Sequence, residues 1–126
     1  MNIADAFAEA NRLSRLIDAA IEAMKNTTVE YARAEAEYRR SKSEAWIRCP
    51  IDDATVKAGE REWTAARREA WVNADTADLR YKRDLAEGMR QVAIEANRSR
   101  RAQLSSVQTF VNAEKAEMDL VRTGPN

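Results

Sequence analysis

The chain has 126 residues, 21 Lys+Arg against 21 Asp+Glu, no histidine and one cysteine. That length fits one domain, and a net charge of zero leaves no global field to draw the chain to nucleic acid or an anionic membrane. Abundant alanine, 33% charged residues and only three glycines and two prolines make the composition that of long helices. The predicted class is all-α.

The opening Met1-Asn2-Ile3-Ala4-Asp5 carries an acid and no basic flank, so it does not read as a signal peptide. No segment approaches the roughly 20 apolar residues of a membrane span. The lone Cys49 excludes an internal disulfide and suits a reducing compartment. A cytoplasmic protein is the expectation.

In chain order, the first element is a helix over about residues 3–48. Ile3, Ala10, Ile17, Met24, Tyr31, Tyr38 and Ala45 recur seven apart. Ala6, Leu13, Ala20, Thr27, Ala34 and Ser41 form a second row, three positions after the first. Together they make the seam of a coiled-coil-like helix. Asn26-Thr27-Thr28 are poor helix formers, but the heptad phase runs through them unbroken, which favours one continuous helix. Pro50 ends it, and the predicted turn is Cys49-Pro50-Ile51-Asp52-Asp53, with Asp52 or Asp53 capping the second helix.

That second helix is predicted over about 54–98. Its apolar row is Val56, Gly59, Trp63, Ala66, Ala70, Ala74, Ala77, Tyr81, Leu85, Met89 and Val92, with a stutter after Ala77. A turn centred near Ile51 makes facing residue numbers add to about 102 in an antiparallel hairpin. Tyr38 then meets Trp63, Tyr31 meets Trp71, Ile17 meets Leu85, Leu13 meets Met89 and Ala10 meets Val92. Glu35→Arg39, Glu44→Arg48 and Asp78→Lys82 stand four apart, acid first, as helix-stabilising pairs.

In that register the first helix runs out opposite residue 100. A C-terminal helical segment over about 102–121 is left without an intramolecular partner. It either folds back as a third helix after Asn97-Arg98-Ser99 or extends the second. Its apolar face, Leu104, Val107, Val111, Met118 and Val121, together with Trp46 and Trp71 near the turn, is the candidate protein interface. A two-helix hairpin buries little surface, so completion by oligomerisation is expected, a dimer first.

Catalytic chemistry has few places to reside. Without histidine the commonest general base and metal ligand are missing, and so is the Glu-x-x-His di-metal bundle. Cys49 has no base to activate it, and no Gly-rich phosphate loop is present. The expectation is a non-enzyme with no cofactor and no metal. The one dense basic cluster, Arg98, Arg100 and Arg101 with Arg90 upstream, is the candidate nucleic-acid site.

Secreted helical hairpins marked by a Trp-x-Gly turn do not match, because the turn here reads Cys-Pro-Ile-Asp-Asp. The stretch Tyr31-Ala32-Arg33-Ala34-Glu35-Ala36-Glu37-Tyr38-Arg39-Arg40-Ser41-Lys42, then a break and Thr55-Val56, resembles small helical accessory proteins encoded by bacteriophages. The resemblance covers roughly residues 28 to 115 and carries no functional residue. It implies an accessory role in the host cytoplasm, binding and modulating a host or phage machine. The leading expectation is therefore a protein-interaction or assembly module, with a nucleic-acid accessory protein as the alternative.

Overall fold

The computed structural model describes residues 1–51 and 61–124, with the backbone alone at 61–63. Among the described residues there are three helices and no strand: α1 (Ile3–Arg48), α2 (Arg61–Asp75) and α3 (Ala77–Thr123). The Asp52/Asp53 caps, Val56, Gly59, Thr55 and the Trp63 side chain lie outside the described residues.

α1 starts where Asn2 supplies a cap. Its Oδ1 accepts from the Asp5 amide at 2.8 Å, which satisfies one first-turn amide that has no helical partner, and its carbonyl accepts the first helical bond, from the Ala6 amide at 3.0 Å. Asp5 in that turn suits the positive end of the helix, and Arg48 in the last turn the negative end. The helix passes through Asn26-Thr27-Thr28 without a break and stops two residues before Pro50. Every member of the two seven-spaced rows, from Ile3 to Ala45, is buried or half-buried. Leu13, Ala6 and Ala45 are fully enclosed.

α2 and α3 are separated by the single residue Thr76. Backbone bonds run through it, from the Thr76 amide to the Val72 carbonyl and from the Arg80 amide to the Thr76 carbonyl, both 3.0 Å. The Thr76 hydroxyl also donates to the Val72 carbonyl at 2.8 Å. That carbonyl therefore serves two donors, the back-bonding by threonine that distorts a helix locally. Asn97-Arg98-Ser99 interrupt nothing, and the C-terminal segment is a continuation of α3.

The chain divides into two compact units, one of residues 1–26 with 91–126, the other of residues 27–90. In the second unit α1 runs antiparallel to α2 and α3. Tyr31 meets Arg90, Tyr38 meets Arg83, Glu37 meets Lys82 and Arg48 meets Asp75. In the first unit the Lys115 ammonium stands 5.5 Å from the centroid of the Phe7 ring.

These contacts correct the predicted register. In the second unit facing numbers add to about 121, not 102. Tyr38 and Tyr31 face arginines where Trp63 and Trp71 were expected. The shift also gives residues 102–121 a partner. They belong to the unit that contains the first 26 residues, so the segment is not an orphan.

The buried side of α2 and α3 is corrected with it. The enclosed rows are Val72, Leu79, Ala86, Ala93, Arg100, Val107 and Glu114, with Thr76, Arg83, Arg90, Asn97, Leu104 and Val111. Both keep strict seven-residue spacing, and neither is the row that apolarity singled out. Of that row, Ala66, Ala70, Ala74, Ala77, Tyr81, Leu85, Met89 and Val92 are exposed. Arginine reaches the seam because its aliphatic stem packs like a hydrophobe while its guanidinium lies on a ring. The Arg83 guanidinium is 4.5 Å from the centroid of Tyr38, and that of Arg90 is 5.8 Å from Tyr31.

Cross-helix geometry also decides the ion pairs. Glu35 and Arg39 form the expected pair at 2.7 Å, but Arg48 bonds Asp75 at 2.8 Å and Lys82 approaches Glu37 at 3.6 Å. At the other end of α1, Arg12 donates Nε to Glu9 at 2.8 Å and a second bond from Nη2. This hydrogen bond, aided by the guanidinium charge, holds the Glu9 carboxyl below its ordinary value of 4.5. A carboxyl so depressed contributes to stability at neutral pH and loses that contribution as pH falls through its folded-state value. NMR titration of the Glu9 side chain should show its midpoint moving back up in Arg12→Ala. An unmoved midpoint would mean that the pair does not persist in solution.

Candidate interaction surface

In the second unit the outer face of α3 is apolar. Tyr81 is 70% exposed, Leu85 54% and Met89 56%, at helical spacings of four. Scattered exposed hydrophobics are normal, whereas a contiguous row marks a contact surface. Gly88 lies in the same stretch, and a Cβ added there meets nothing within 4 Å.

Beside this row a groove of about 300 Å³ runs between α1 and α3. Ala34, Ala86 and Thr27 lie along it with Leu85 and Met89, and Glu30, Arg33, Glu37 and Lys82 supply its charged lining. Those charges alternate in sign and are partly paired, Arg33 to Glu30 at 3.5 Å and Lys82 to Glu37 at 3.6 Å. Such an arrangement can seat an apolar side chain or a helix. It presents no excess charge for a phosphate.

The predicted interface residues are divided. At one end of the second unit Trp46 is exposed and Trp71 half-buried. Arg68 lies 5.7 Å from the centroid of Trp46 and donates to the Ile51 carbonyl at 2.9 Å, so the Trp46 ring is already engaged by its own chain. In the first unit Val111 is buried and Leu104 and Val107 are half-buried, which removes them from an open face. Met118 and Val121 remain exposed, the latter at 82%.

The predicted basic cluster is not one surface. Arg90 turns onto Tyr31, with its Nε buried and unbonded, and Arg100 is half-buried on the seam. Arg98 bonds Glu95 at 2.8 Å, and the Arg101 Nε–H reaches the Asn97 side-chain oxygen Oδ1 at 3.4 Å. Only Arg98 and Arg101 of the four are exposed.

The row Tyr81, Leu85 and Met89 was visible in the sequence but was assigned to the seam. Its outward placement follows from the register, which the tyrosine–arginine pairs fix. Among the described residues no group of acidic, cysteine or histidine side chains could hold a metal ion, and no helix is long and apolar enough to cross a membrane. Comparison of the chain with protein-family models, curated proteins and solved structures finds no match.

Proposed function

We propose that this protein is a non-enzymatic, helical interaction and assembly module that works by associating with copies of itself or with a protein partner. One observation carries the reading. In the second unit α3 points Arg83 and Arg90 at α1 and leaves Tyr81, Leu85 and Met89 in water. Apolar burial is the dominant drive of association, so this outer row is where binding free energy is available. A sequence without histidine fits a role in binding and not in acid–base chemistry. The bacteriophage resemblance of residues 28 to 115 extends the proposal to an accessory protein that modulates a host or phage machine in the host cytoplasm.

Light scattering behind a sizing column, across a concentration series, tests self-association. A mass above 14.3 kDa that persists on dilution is the expected result. A monomer throughout would sink it. The nucleic-acid alternative has less support, since Arg90 and Arg100 are drawn to the seam and Arg98 is paired. Titration with labelled single- and double-stranded DNA at low salt is expected to show no binding. Binding that weakens steeply with salt, and with alanine at Arg98 and Arg101, would reverse that preference.

A further inference from the structure

We infer that the face of the second unit formed by Tyr81, Leu85, Gly88 and Met89, with the adjoining groove, is the docking surface for a second copy of this chain. The inference rests on the assembly reading above and adds which surface is used and what occupies it. Two observations select a copy as the occupant.

The first is charge. In a two-fold interface each copy meets the same patch it presents, so a patch of one sign repels itself. Here the groove carries two acids, Glu30 and Glu37, and two bases, Arg33 and Lys82. The patch is locally neutral and of mixed sign, and it can face its own copy without a net like-charge penalty. It offers nothing to steer a strongly charged partner.

The second is Gly88. Glycine inside a helix is unfavourable relative to alanine, and it is retained where another backbone must approach closely or where φ is positive. Among the described residues no glycine has a positive φ, and a Cβ at Gly88 meets nothing within 4 Å. The chain's own packing therefore gives no reason for glycine at this point of the apolar face. A helix of a second copy crossing at Gly88, flanked by Leu85 and Met89, supplies one.

The test uses the full chain with Leu85→Glu, Gly88→Leu and, as a control on an exposed apolar site of the first unit, Val121→Glu. The mass of each is followed by light scattering over a concentration series, with helix content by circular dichroism. Because the space beyond Gly88 is open, Gly88→Leu should keep or raise helix content and thermal stability in dilute solution. The same change should weaken dimerisation at least tenfold, as should Leu85→Glu, while Val121→Glu leaves the dimer intact. Dimers that survive both substitutions, or that dissociate only in Val121→Glu, overturn this surface while leaving assembly standing. A wild-type chain that is monomeric at every concentration overturns both.

Discussion

Leu13→Ala should lower the free energy of unfolding by about 2–4 kcal/mol, one of the two largest losses expected of any single truncation in this chain. Leu13 is 0% exposed, and among the described residues it is the largest of the fully buried side chains, ahead of Val72 and Thr76. The rest of the enclosed core is mostly alanine: Ala6, Ala34, Ala45 and Ala93. A core built from small residues concentrates its hydrophobic stabilisation in the few large ones. Neighbours such as Ala6 and Ala10 have no rotatable side chain with which to fill the space a leucine leaves. Urea unfolding at one fixed protein concentration measures the effect, and fixing concentration keeps any linked assembly constant. Leu120→Ala is the comparison, since Leu120 is 71% exposed in the same unit and its truncation should stay within about 0.5 kcal/mol. Equal losses at the two leucines would contradict the burial pattern of the first unit.

The first half of this architecture was legible because α1 obeys one rule throughout. Its two heptad rows keep one phase from Ile3 to Ala45 and every member is buried or half-buried, so the pattern identifies both the helix and its buried face. In α3 the two signals part. The apolar residues Tyr81, Leu85 and Met89 sit on one face, while strict seven-residue spacing runs through Thr76, Arg83, Arg90, Asn97, Leu104 and Val111. Apolarity assigns an arginine to water and so selects the wrong face, at the cost of a stutter after Ala77 that the true rows do not need. Phase continuity, the criterion that carries α1 through Asn26-Thr27-Thr28, selects the right face in both helices. A further signal was present: Tyr31 and Tyr38 are seven apart, and so are Arg83 and Arg90. Arg61 and Arg68 are also seven apart, so arginine spacing alone allows a register adding to 99 or to 121, and the structure takes the latter. The candidate docking surface was hidden by the same error, because its residues were spent on the seam.

Tyr38→Ala should cost about 3 kcal/mol, close to the loss at Leu13 but for a different physical reason. The ring is nearly buried, so its removal forfeits a large apolar area and leaves a cavity at the centre of the second unit. It also carries two cations, the Arg83 guanidinium at 4.5 Å and the Lys42 ammonium at 5.9 Å. Arg83 is held in place from three sides, by the ring, by Asp84 at 2.8 Å and by Glu35 at 3.5 Å. Its hydrogen bond to Asp84 comes first among the causes that raise its pKa, so the guanidinium stays charged at any pH the protein meets. Without the ring, that charge and its stem face a void on the seam. Tyr38→Phe keeps the aromatic face and should remain within about 1 kcal/mol of wild type. A double-mutant cycle of Tyr38→Ala with Arg83→Met isolates the stack, and a coupling of about 1 kcal/mol is expected. A coupling near zero would mean that Arg83 is fixed by Asp84 and Glu35 alone. The register of α1 against α3 would then depend on apolar fit and not on the tyrosine–arginine pairs.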